Sequence, residues 1–153
     1  MLFLYKWMLQ LFSWHTWVSK QSDALQSLAS QFHNQFNTLG VTVAFLVMLG
    51  LVILGVVLYY FVWSNGTSKM FKYRYRLRWW VIWWISSSAI VSIVTPLILR
   101  FGVFCKITFK NYNDALAAVS LCNFLYSIIL FAVFSIIIVK VAPKLTNASC
   151  TPF

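Results

Sequence analysis

Three stretches of the chain stay apolar for the length of a membrane crossing, and polar residues mark their ends. Residues 41–63, VTVAFLVMLGLVILGVVLYYFVW, carry no charge and include fifteen Leu, Ile, Val or Phe residues. A helix needs about 20 mostly apolar residues to cross about 30 Å of hydrocarbon. Each such side chain favours insertion by about 0.3–0.6 kcal/mol, so this segment reads as a first transmembrane helix. Tyr59, Tyr60 and Trp63 form an interfacial belt at its far end, while Gly50 and Gly55 are five apart and make no G-x-x-x-G pair. Residues 80–99 read as a second transmembrane helix and residues 115–139 as a third, capped at Asn113 or Asp114. The second holds Ser86, Ser87, Ser88, Ser92, Thr95 and Pro96, which makes a poor lipid-facing surface. Pro96 has no N–H for the Ser92 carbonyl, so a kink or a helper hydroxyl is expected there.

The first 40 residues follow another pattern. Lys6, Gln10, Ser13, Thr16 and Lys20 recur at steps of three or four within the aromatic-rich stretch 2–20. At 100° per residue they make one narrow stripe, as on a helix with a small wet face. Two placements fit, a helix lying in the interface or one covering other protein. A fourth span over 2–18 would bury Lys6 and Gln10 at a cost. Those two residues, and the lack of an A-x-A site, also argue against a cleaved signal peptide. From Ser22 onward, Leu25, Leu28, Phe32, Phe36 and Leu39 recur at helical spacing among Gln, Ser and Asn. That stripe reads as a second amphipathic helix, or a continuation of the first, that needs a partner.

The fold class is therefore an all-α integral membrane protein, with three transmembrane helices preceded by N-terminal amphipathic helices. Its segments are 1–40 (amphipathic), 41–63, the basic-aromatic loop 64–79, 80–99, the loop 100–114, 115–139 and the tail 140–153. Composition agrees: 61% of the 153 residues are hydrophobic and 9% charged, against about 45–50% and about 25% in soluble domains. So few charges cannot cover a soluble globule.

The formal net charge is +10. Because the basic residues flank apolar runs, anionic lipid headgroups rather than nucleic acid are the expected partner. Placing the N-terminus outside and the C-terminus inside puts seven basic residues of the first loop and tail in the cytoplasm, against three of the second loop outside, or five with Lys6 and Lys20. This N-out, C-in arrangement in a cytoplasmic (inner or plasma) membrane follows the positive-inside rule.

Several side chains stand out as candidates. Lys69, Lys72, Arg74, Arg76 and Arg78 run into Trp79, Trp80, Trp83 and Trp84. In an extended strand Lys72, Arg74, Arg76 and Arg78 share a face, whereas on a helix they fall on two. Either form grips lipid headgroups or docks an acidic partner, and the tryptophans suit a headgroup-level belt. Ser88, Ser92 and Thr95 lie along one side of the second span, and Ser120, Asn123 and Ser127 along the third. They read as helix-packing residues, with Asn123 the strongest polar group in any span. A polar pore lining after oligomerisation is the other reading.

Nothing in the sequence points to chemistry. Cys105, Cys122 and Cys150 form no C-x-x-C, and unpaired thiols are favoured over a Cys105–Cys122 bridge. His15 and His33 lack a third ligand nearby, so they read as packing or interface residues. No phosphate-binding, nucleophile-elbow or zincin motif occurs, and no charge lies inside the predicted spans as a transporter would need. No enzyme activity, cofactor, metal or small-molecule substrate is expected.

The expected role is a non-enzymatic anchoring or scaffolding subunit of a larger membrane complex, such as secretion or injection machinery. Its partners would be lipid, other subunits or copies of itself. The Leu25–Leu39 stripe, the serine-rich second span and Asn123 are all expected to lack partners within so short a chain. Alternatively, the N-out, C-in arrangement of three spans resembles class I phage holins, which implies an oligomeric pore.

Overall fold

The computed structural model describes residues 2–11, 23–63, 76–104 and 112–141, and these are helical with no strand among them. Helix α1 is Leu2–Leu11 and α2 is Asp23–Gln35. A π-helical turn, Phe36–Gly40, joins α2 to α3, Val41–Val57, which runs into a second π-helical turn, Leu58–Trp63. Helix α4, Arg76–Ile98, continues into π-helical Leu99–Val103, and α5 is Tyr112–Val141. Three helical runs are long and apolar enough to cross a membrane: Gln26–Val62 (37 residues), Arg78–Val103 (26 residues) and Tyr112–Val141 (30 residues). This fits a multi-pass membrane protein.

The amphipathic stretch from Asp23 to Gly40 and the first apolar run are one helix rather than two. Nothing breaks the backbone at Gly40, because the π turn absorbs the change in side-chain phase while keeping the hydrogen-bonded ladder. At 1.5 Å per residue, 37 residues reach roughly 55 Å, well beyond about 30 Å of hydrocarbon.

The chain forms two compact units, Met1–Met48 with Ser92–Asn123, and Leu49–Val91 with Phe124–Phe153. In the first, Phe32, Phe36, Phe104 and Tyr112 make an aromatic cluster. Phe32 meets Phe104 edge-on at 5.3 Å between centroids and Tyr112 at 5.5 Å. Edge-to-face pairs add about 0.5–1.5 kcal/mol each beyond burial. Gly40 makes the cluster possible, since a Cβ there would stand 3.2 Å from both the Phe36 and the Phe104 ring. Helix α1 buries Tyr5, Met8 and Leu9 and leaves Phe3, Trp7 and Leu11 exposed.

In the same unit, α4 keeps helical geometry through Pro96. The hydroxyl of Ser120 on α5 donates to the Ser92 carbonyl at 2.7 Å, the acceptor that Pro96 deprives of its helical partner. The helper hydroxyl expected from the sequence is present and comes from the neighbouring helix. Beyond Pro96 the helix widens, and the Phe104 amide closes its last turn on the Leu99 carbonyl at 2.9 Å.

In the second unit α3 and α4 run antiparallel. A Cβ on Gly55 would stand 2.5 Å from Ser87 Oγ, and one helical turn along, Tyr59 packs on Trp83 at 6.1 Å. Small facing residues permit this approach even without a G-x-x-x-G pair. Helix α5 closes the other side of α4. There the Trp84 indole donates to the Ile128 carbonyl at 2.8 Å, and Trp80 stacks between Trp84 and Phe131.

Replacing Ser120→Ala removes the hydroxyl that serves Ser92 and should lower stability by about 0.6 kcal/mol, up to about 1.7. In a Pro96→Ala background, where the new N–H serves Ser92, the same change should cost close to nothing. Unfolding the four proteins in detergent as a double-mutant cycle measures this; an equal penalty in both backgrounds refutes it.

Candidate functional site

The polar residues of the predicted spans converge on the chain's own helices. Asn123 is fully buried, and its Oδ1 accepts a hydrogen bond from the Tyr5 hydroxyl of α1. Beside it the Cys122 thiol, unpaired and buried, points at the Leu4 carbonyl at 3.7 Å. Ser88 bonds back to the Trp84 carbonyl, and Ser127 to that of Phe124, each at 2.9 Å. Such back-bonding lets a hydroxyl sit inside a helix without an outside partner. Thr95 is also fully buried. Asn123 through its Oδ1, Ser88 and the Ser92 carbonyl therefore have partners within this chain, where the sequence led us to expect none. Apolar surroundings make an unpaired polar group costly, so these groups bond to the nearest backbone.

Asn123 Nδ2, Tyr112 Oη and Ser135 Oγ are buried with no hydrogen-bond partner among the described residues. Tyr5 is the partner that sequence reasoning missed. It lies off the Lys6–Gln10 stripe, and only a need at Asn123 hinted at it.

The basic-aromatic segment is seen in part. Lys69, Lys72 and Arg74 lie outside the described residues; Arg76 opens α4 and Arg78 is exposed. Trp80 is buried, while Trp79, Trp83 and Trp84 are half-buried. Trp80, Trp83 and Trp84 make ring or hydrogen-bond contacts inside the second unit. Its basic neighbour Arg78 faces outward.

The apolar stripe of α2 is divided between inside and outside. Phe32 and Phe36 are buried in the aromatic cluster, whereas Leu28 and Leu39 are 56% and 54% exposed. The Leu25 side chain lies outside what the structure describes. His33 meets the Asn37 amide at 3.2 Å; His15, Cys105 and Cys150 are outside the described residues.

Surface hollows lie among the described residues. One of about 620 Å³ is lined by Lys6, Gln10, Asn37, Thr38 and Thr42 with Leu9 and Val41. The hydroxyls of Thr38 and Thr42 are already committed to helix carbonyls. A second, of about 380 Å³, is an apolar slot beside Gly55, Trp83 and Ser87. A third, about 400 Å³, lies between the Ser92–Arg100 and Asn113–Ser120 stretches. No cluster of three His, Cys, Asp or Glu side chains occurs among the described residues. Comparison with family models, curated proteins and solved structures finds no match.

Tyr5→Phe strands the Asn123 carboxamide and should cost about 1–3 kcal/mol, seen as faster hydrogen exchange across residues 2–11. Adding Asn123→Leu removes the stranded group, so the double variant should recover most of that loss. Unchanged exchange in Tyr5→Phe would show that this bond does not hold α1 in place.

Proposed function

We propose that this protein is a non-enzymatic membrane-anchoring or scaffolding subunit of a larger membrane complex. Three helices provide the anchor, in a cytoplasmic (inner or plasma) membrane with the N-terminus outside and the C-terminus inside. The basic residues Lys69–Arg78 hold anionic headgroups on the cytoplasmic side. Partner recruitment falls to the N-terminal arm.

One observation carries this reading. The helical run from Gln26 outreaches the hydrocarbon thickness by roughly 25 Å, and on that arm Leu28 and Leu39 remain exposed among Gln26, Gln31, Asn34 and Gln35. Leu28, the outer of the two on this polar arm, is poorly placed for lipid and well placed for another protein, while Leu39 adjoins Gly40 beside Phe104. The oligomeric-pore reading has less support. Of its candidate polar lining, Ser88, Thr95, Asn123 and Ser127 are buried within the chain, and Ser92 and Ser120 are half-buried, with the Ser120 hydroxyl committed to the Ser92 carbonyl.

Co-purification in mild detergent tests this. The wild-type chain should carry defined protein partners, and Leu28→Gln combined with Leu39→Gln should reduce their recovery at least about tenfold without changing membrane extraction. A chain that purifies alone and monodisperse, or that permeabilises the membrane of an expressing bacterium, overturns the proposal.

A further inference from the structure

The hollow between α4 and α5 has an order that the subunit reading leaves unused. Its walls climb both helices in three rungs: Ser92 across from Ser120, Pro96 across from Leu116 and Ala117, and Arg100 across from Asn113. The lowest rung is fixed by the 2.7 Å hydrogen bond from Ser120 to the Ser92 carbonyl, so its polar atoms already serve each other. The middle rung is apolar and open, with Leu97 and Ala117 both exposed. Two helical turns, about 12 Å, separate the Ser92 rung from the Arg100 rung.

The Arg100 rung has a different chemistry. Arg100 lines the groove and is exposed, and its guanidinium carbon lies 5.9 Å from the Phe101 ring centroid. It makes no ion pair among the described residues. Asn113 is exposed beside it at the start of α5, and the one described acidic neighbour, Asp114, is exposed as well. Arg100 and Asn113 also sit where the apolar runs Arg78–Val103 and Tyr112–Val141 end and begin, the depth at which headgroups replace hydrocarbon. A planar cation that binds phosphate through two parallel bonds thus caps an apolar slot.

We propose that this groove is a binding site for one anionic phospholipid, with the phosphate on Arg100 and Asn113 and an acyl chain laid past Pro96 and Ala117. The charge of the mouth selects the occupant, since a zwitterionic lipid carries its own cation beside the phosphate. This site is separate from the basic Lys69–Arg78 segment. It requires insertion in a membrane but not the subunit role, so it stands or falls independently of partner recovery.

Native mass spectrometry of the full chain, released from detergent containing equal phosphatidylglycerol and phosphatidylcholine, reads the site directly. Wild type should retain one phosphatidylglycerol at least about tenfold over phosphatidylcholine. Arg100→Gln should abolish that preference, and Ala117→Phe should fill the slot and remove the retained lipid. Neutralising Lys69, Lys72, Arg74 and Arg76 to Gln should leave the adduct in place, and glycerol phosphate in millimolar excess should not displace it. Circular dichroism checks that each variant keeps its helix content. If Arg100→Gln does not fold, Ala117→Phe decides alone. Preference surviving Arg100→Gln, retention unchanged in Ala117→Phe, loss on neutralising the basic segment, or displacement by glycerol phosphate each overturns the assignment.

Discussion

The hydroxyl of Ser120 on the carbonyl of Ser92 answers the one backbone requirement that sets the register of α5 against α4 around Pro96. Proline inside an apolar helix leaves one carbonyl without its helical donor, and apolar surroundings offer no water to replace it. A donor must come from a neighbour, which fixes both which helix lies beside α4 and at what height. Once Ser92 faces Ser120, Pro96 faces Leu116 and Ala117, and Arg100 faces Asn113. The groove between them follows from meeting one backbone requirement.

The same requirement accounts for the other polar contacts. The Trp84 indole finds the Ile128 carbonyl, the Tyr5 hydroxyl finds Asn123, and Ser88 and Ser127 turn back on their own helices. Each contact is worth little by itself, about 0.6 kcal/mol on average between helices in bilayers. Leaving any of them unmade would cost more than making it contributes. The polar residues therefore serve helix placement, and a pore lined by them would first have to break these bonds.

Close approach is the second constraint. Gly40 lets Phe36 and Phe104 come together, and Gly55 lets Ser87 sit against α3. Neither glycine breaks its helix. Both work by lacking a side chain at a point where another residue needs the space. The aromatic cluster beside Gly40 takes up Phe32 and Phe36 of the apolar stripe and leaves Leu28 and Leu39 exposed.

Much was legible in the residues alone. The charge-free run 41–63, the serine-rich run ending near Arg100 and the run closed by Lys140 follow from apolar content and length, which act locally and need no knowledge of neighbours. So does the need for a donor at Ser92, because a missing N–H is a covalent fact about Pro96. Tertiary structure alone decided who meets each need. Tyr5 and Asn123 lie 118 residues apart, and no periodicity links them. Gly40 looked like a boundary because polarity changes there, yet the helix continues, since hydrogen bonding along a backbone is indifferent to which side chains it carries. The groove at Arg100 has no local signature, because its two walls come from different helices and exist only once those helices are paired.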